Sequence, residues 1–287
     1  MRAPALLLAC GAALGADTLE LANPDIDELS GLAVSHADAT LLWGHNDTGG
    51  GRRLFRIGLN GEDLGSVRVA GAQSSDWEDI AAFDDAAGPA LLIADTGDNF
   101  GLRSWPALYA VRDPGRRGEP ALLWRLDFRY PDGAHDCEAV AVDPRDRAIL
   151  LVTKREAPPR LYRLPLPHGQ PPARQTAEFL GEVAGLPPMP TLRQRLTGPF
   201  AFLRDSPAAL DISRDGLTAV LVTGRHAYVY RREPGMGWAT ALARAPITAP
   251  LPDFEQIEAA ALSADGRELI VGSEGRPGRL ARIALPQ

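Results

Sequence analysis

The sequence predicts an all-β protein folded as a single β-propeller, and three observations predict it. One pattern recurs five times: an acidic or small residue, a short apolar strand, a polar turn and a second apolar strand. The chain holds 29 glycines and 25 prolines among 287 residues, which favours tight turns over long helices. The first strand of each repeat is rich in Ala and Gly and short of bulky residues, which suits strands crowded around a central axis.

The first strands begin at Glu28, Glu78, Glu138, Ala208 and Glu258, spaced 50, 60, 70 and 50 residues apart. Polar turns such as Ser213-Arg-Asp-Gly and Ser263-Ala-Asp-Gly lead into second strands such as Thr218-Ala-Val-Leu-Val-Thr and Glu268-Leu-Ile-Val-Gly. Third strands follow most of them, among them Arg160-Leu-Tyr-Arg-Leu and Arg279-Leu-Ala-Arg-Ile. Units of this length with three or four strands are propeller blades. Only three strands remain after Glu258, so the last sheet lacks its outer strand, and Asp17-Thr-Leu-Glu-Leu is placed to supply it and close the ring. Five blades follow. A sixth is expected only if the Pro-rich stretch 171–202 hides a further unit, and a pair of β-sandwiches would leave the repeat unexplained.

Residues 1–16 read as a signal peptide, with Arg2 ahead of an apolar run and small residues at Ala13 and Gly15. The propeller domain is then 17–287, exported to the periplasm or the extracellular space. Leu7-Leu8-Ala9-Cys10 is a weaker match to a lipoprotein cleavage site. No other apolar run reaches the roughly 18 residues of a membrane span. Cleavage would leave Cys137 as the sole cysteine, which excludes an internal disulfide and a thiolate metal cluster.

The formal charge is −7, from 30 basic and 37 acidic residues. Such a chain is a poor nucleic-acid binder, since that affinity needs clustered cations. The expected partner is a small anionic ligand or an ester, bound by a monomer.

In an antiparallel blade, the start of the first strand and the end of the second share one mouth of the channel. The starts carry Glu28, Asp76, Glu78, Asp79, Asp136, Glu138, Asp211 and Glu258. Asp47, Asp95, Lys154 and Glu274, at second-strand ends, follow Glu28, Glu78, Glu138 and Glu258 by 19, 17, 16 and 16 residues. That near-constant phase points to one site assembled from all blades. Carboxylates aimed at one axis repel unless a cation or protons intervene. Oxygen donors without a His or Cys cluster select a hard ion, so Ca²⁺ is expected, with Glu28, Glu78, Glu138, Glu258 and Asp211 as the metal set. The competing reading is that these acids cap strands or hold water.

Lys154 is the only lysine in the chain. At a channel position it could neutralise the acids, bind an anion or polarise a scissile oxygen. Lys154, Glu78, Asp95 and Arg225 form the candidate catalytic set. His45 and His226 sit where they could shuttle protons. Cys137, between Asp136 and Glu138, reads as buried packing, and Trp43 and Trp77 as packing between blades. No Gly-x-Ser-x-Gly elbow is present.

Glu28-Leu-Ser-Gly-Leu-Ala, Asn46-Asp47-Thr48-Gly49, Asp76-Trp77-Glu78-Asp79-Ile80-Ala81 and Asp95-Thr96-Gly97-Asp98-Asn99 together resemble exported bacterial propellers. The resemblance is to the SdiA-regulated-like and phytase-esterase-like group, and it extends through Asp136-Cys-Glu138, Asp211-Ile-Ser and Gln256-Ile-Glu258. It implies a channel calcium bound or bridged by Glu28, Glu78, Glu138 and Glu258. The chain is similar in plan to calcium-activated nucleotidases, although it lacks their evident means of holding a nucleotide. Ala208 stands where the fourth unit would carry an acid, which breaks any fivefold ring. Two functions are expected to compete: a calcium-dependent phosphoesterase or esterase, and a non-catalytic module whose calcium staples the blades while loops, 171–202 among them, bind protein or glycan.

Overall fold

A computed structural model of the chain describes residues 17–47, 51–188 and 205–286. The predicted leader lies outside the described residues, as does part of the Pro-rich stretch. Blade 1 comprises β2 (Leu29–Val34), β3 (Leu41–Asn46), β4 (Arg53–Gly58) and β5 (Asp63–Arg68). Blade 2 comprises β6 (Trp77–Asp85), β7 (Gly88–Asp95), β8 (Ala107–Arg112) and β9 (Leu122–Arg129). Blade 3 has β10 (Cys137–Asp143), β11 (Ala148–Thr153), β12 (Arg160–Pro165) and β14 (Glu178–Glu182). Blade 4 has β15 (Ala209–Ile212), β16 (Thr218–Val222), β17 (His226–Arg231) and β18 (Ile247–Pro250), with a short helix Trp238–Leu242 before its last strand.

Blade 5 has β19 (Ile257–Leu262), β20 (Glu268–Ser273) and β21 (Arg279–Ala284), and its outer strand is β1 (Asp17–Glu20). β1 pairs antiparallel with β21, Asp17 opposite Arg282 and Glu20 opposite Arg279, so the N-terminal strand closes the ring as expected. The described part of the Pro-rich stretch holds no sixth blade. It supplies β14 to blade 3 and β13 (Arg174–Thr176), which adds in parallel to the outer edge of blade 2.

The apolar side chains pack into five clusters, one between each pair of neighbouring blades. Strand period explains this. Side chains alternate faces along a strand, so both faces of a blade are buried and its strands read as continuous apolar runs. In β10, Val140 and Val142 face blade 2 while Ala139 and Ala141 face blade 4. Trp43 and Trp77 lie in the cluster between blades 1 and 2, and Cys137 is buried between blades 2 and 3.

The innermost strands β2, β6, β10, β15 and β19 form a closed ring. Each presents one edge to the channel, where buried N–H groups need acceptors. Asp79 supplies three of them. Its carboxylate accepts from Ile80 (2.9 Å), from Val140 of blade 3 (2.8 Å) and from Leu210 of blade 4 (3.2 Å). Asp211 accepts from Ile212 (2.8 Å) and from Leu262 of blade 5 (2.7 Å). These two aspartates tie blades 2 to 5 together along the axis.

Candidate metal centre at the channel mouth

The register of the inner strands builds the site. In four blades the pairing of first and second strands slips by one residue, and the bulged residue is Ser30, Glu78, Glu138 or Glu258. A bulge interrupts alternation and re-aims a side chain, here beside the channel instead of between blades. Blade 4 pairs without a slip, and Ala208 and Ala209 stand there. The counterpart of Glu78 in blade 1 is therefore Ser30, and Glu28 belongs one station earlier with Asp76, Asp136 and Gln256. The sequence spacing from Glu28 had aligned these two stations as one.

A third station is set by a repeated backbone bond. The N–H groups of Asp47, Gly97, Lys154 and Glu274 donate to the carbonyls of Glu28, Asp76, Asp136 and Gln256, at 2.9, 3.3, 2.9 and 3.0 Å. The second-strand end of each blade is thereby pinned against its first-strand start. Two groups of acids result, each with one oxygen per residue within 4.8 Å of the others: Asp47, Asp76 and Glu78, and Glu78, Asp136 and Glu138. Glu78 belongs to both. At that separation or less, and an effective dielectric of about 20, each ionised pair repels by about 3.5 kcal/mol or more.

The acids respond in the expected direction. Burial first, then Glu138, Asp47 and Asp76, drive the Glu78 carboxyl well above the usual carboxylate range. Burial, with Asp76, Glu258 and Glu28 behind it, pushes Asp47 up to about 7. Burial also brings Glu138 to about 8, despite Lys154, and Glu274 to about 8, with Glu258 the largest neighbouring charge.

Gly97 makes the convergence possible, because a Cβ there would fall on Glu78 Oε1 and Asp76 Oδ2. Among the described residues the buried Asp47 Oδ1 accepts no hydrogen bond, and its carboxyl abuts that of Asp76. An unfilled carboxylate oxygen beside a glycine-opened space, with oxygen donors alone in both groups, fits a hard divalent cation.

The nearby cations are committed. Lys154 forms an ion pair with Glu138, and both side chains are nearly buried. Arg155 holds Asp136 (2.6 Å) and Arg103 holds Asp95 (2.9 Å). Asp95 also accepts from the Asp76 N–H (3.0 Å), so it orients the neighbouring acid. Arg225 is exposed at the blade 4 mouth. Glu28 and Glu258 act on the cluster through their charge on Asp47 and Glu274. Asp211 lines a pocket at the opposite end of the channel with Ser35, His36 and Arg214. It stands in neither acid group, and burial raises it to about 7.

His45 is enclosed against Trp77, ring centroids 5.5 Å apart, and burial lowers it to about 4, so it is neutral at physiological pH. Burial pushes the Cys137 thiol up to about 12, which suits packing and not nucleophilic attack.

Asp47, Asp76 and Asp136 are the cluster members absent from the predicted metal set. A readable signal was present: Asp76-x-Glu78, Asp136-x-Glu138, Glu28-x-Ser30 and Gln256-x-Glu258 share one spacing in four blades.

Fold and site together define a five-bladed β-propeller with a buried acidic mouth able to hold a metal ion. No protein-family model matches the chain, and no curated protein matches it. Similar solved structures include the crystal structure of a nidogen/laminin complex, at 11% identity and TM-score 0.46 over 86% of this chain and 73% of that one. Another is the hydrazine synthase of Kuenenia stuttgartiensis, at 11% identity and TM-score 0.48 over 90% of this chain and 83% of that one. The fold assignment rests on the strand pairing itself.

Proposed function

We propose that this propeller binds a divalent cation at its mouth, and that the cation is Ca²⁺. The observation that carries the reading is Glu78 shared between two close-set acid groups, one of which contains the unpartnered Asp47 oxygen. Asp47, Asp76, Glu78, Asp136 and Glu138 would hold the ion, joining blades 1, 2 and 3. All offer hard oxygen donors, the chemistry that favours Ca²⁺ over Zn²⁺. Lys154 and Arg155 offset Glu138 and Asp136 without replacing the ion, because two cations cannot offset five carboxylates.

The test is thermal unfolding of chelator-stripped protein with and without Ca²⁺. A concentration-dependent rise in melting temperature supports the site, and an unchanged temperature at millimolar Ca²⁺ refutes it.

A second reading, hydrolysis of a phosphate or carboxylic ester, is supported by carboxylates in excess of what one ion requires. A bound cation would supply Lewis acidity toward the ester oxygen. From the chain itself, Glu78 could hold or accept a proton and Arg225 could meet developing negative charge, while Lys154 and Asp95 serve as orienting partners of Glu138 and Asp76. Turnover of aryl phosphates and acetates, lost on chelation and in Glu78→Gln, would establish it. If chelation lowers stability and no turnover is found, the calcium-stapled binding module stands. Export of a monomer to the periplasm or beyond completes the proposal, checked by fractionation and by an N-terminus starting at Asp17.

A further inference from the structure

We propose that the mouth-face edge of blade 2 docks a protein segment bearing an acidic residue beside bulky apolar ones. The surface uses none of the acids of the cation site, although its loop leaves from Gly97 and is tied to Asp136 by the Asp98 N–H (2.9 Å). The connection 96–106, between β7 and β8, presents Phe100 at 85% and Leu102 at 79% exposure. Large apolar side chains this open are held out by a loop that is itself tightly fixed. The buried Asp98 carboxylate accepts from the N–H groups of Leu102 and Arg103, both at 2.8 Å, and its carbonyl accepts from Gly101 at 3.0 Å. Gly101 takes φ +65°, a left-handed conformation that glycine enters freely. Arg103 donates to the Gly97 carbonyl (2.8 Å) and to Asp95, and Arg155 reaches Asn99. A tip ordered in advance loses little entropy when it binds.

The same connection carries Trp105, whose ring lies 4.3 Å from the Arg174 guanidinium and 5.6 Å from that of Arg129. β9 runs toward the mouth and ends at Arg129, and β13 pairs beside it in parallel, Thr176 opposite Arg129. Tip, indole and both guanidiniums therefore share one end of one blade. Among the described residues neither Arg129 nor Arg174 has an acidic partner, whereas neighbouring Arg125 is paired with Asp127 at 2.7 Å. In a chain of net charge −7 this is a positive spot stacked on Trp105, at the same end of the blade as Phe100 and Leu102. Trp, Phe and Arg are the residue types that anchor protein interfaces, and two guanidiniums without an acidic partner among the described residues select an acid on the partner. A protein segment fits better than an anionic bilayer. A flat bilayer would also cover the acidic mouth and be repelled, while a segment can engage the blade edge alone.

The probe is a displayed random-peptide library selected on the full chain. Two exposed-surface variants accompany it, Phe100→Ser with Leu102→Ser, and Arg129→Glu with Arg174→Glu, each required to keep the wild-type melting temperature. Enriched peptides should combine Asp or Glu with aromatic or aliphatic residues, and each variant should weaken them by about tenfold or more. The proposal is overturned if no peptide enriches, or if selected peptides bind both variants as tightly as wild type. It is equally overturned if vesicles of equal parts phosphatidylserine and phosphatidylcholine bind through Phe100 and Leu102 while peptides do not.

Discussion

Glu78 stands in both acid groups, so its charge is the least tolerable at the mouth without a cation. Glu78→Gln removes that repulsion and a donor together. Without Ca²⁺ its melting temperature should equal or exceed that of wild type, and the Ca²⁺-induced rise should be largely lost. A lower temperature under both conditions would mean that Glu78 is a structural hydrogen-bond acceptor only. Gly97→Ala tests the space instead of the charge. The added methyl would land on the Glu78 and Asp76 carboxylates and push them apart, so Ca²⁺ affinity should fall by about tenfold or more in equilibrium dialysis. Wild-type affinity in Gly97→Ala would show that the carboxylates need not converge there.

The inner strands derive their cohesion from buried aspartates as well as from apolar packing. Asp79→Ala leaves the N–H groups of Ile80, Val140 and Leu210 without their acceptor. At about 1 kcal/mol or more for each, urea unfolding should show a loss of roughly 3 kcal/mol or more. A loss under about 1 kcal/mol would mean that water replaces the carboxylate.

These elements also show what the sequence could and could not reveal. The five blades and the closing strand were legible because apolar runs, hairpin turns and the missing outer strand are local features. The bulges were not. A bulge is defined by two residues opposing one on a partner strand, so Glu28 and Glu78 looked equivalent from spacing alone, although Ser30 is the true counterpart. Asp211 resembled a displaced ligand for the same reason. Its partner, the Leu262 N–H, comes from a neighbouring blade 51 residues away, and no local pattern announces that bond. Phe100 and Leu102 carry no pattern in the sequence that marks them as exposed; the fold alone leaves them uncovered.

At the scale of the whole molecule, closing five blades around one axis concentrates acid faster than it can be paired. In the cation-free protein Asp47 and Asp211 lie at about 7 and Glu138 and Glu274 at about 8, against ordinary values of 3.8 for Asp and 4.5 for Glu. These folded values are raised, so the folded state binds more protons than the unfolded chain. Their contribution to stability is complete below about pH 4 and is lost as pH rises through about 7 to 8. The melting temperature of chelator-treated protein should therefore fall between about pH 5 and pH 8, and saturating Ca²⁺ should flatten the part due to the mouth acids Asp47 and Glu138 while the part due to Asp211, at the far end of the channel, remains. A pH dependence unaffected by Ca²⁺ would place the titrating acids away from the ion.

Calorimetric titration of Ca²⁺ into the chelator-stripped full chain at neutral pH, in buffers of differing ionisation enthalpy, measures both ion and protons. Wild type should show saturable binding at a single site, with a buffer-dependent heat that reports protons leaving the acids, and Glu78→Gln should abolish it. Absence of saturable binding at millimolar Ca²⁺, or identical binding by Glu78→Gln, would contradict a cation at the mouth.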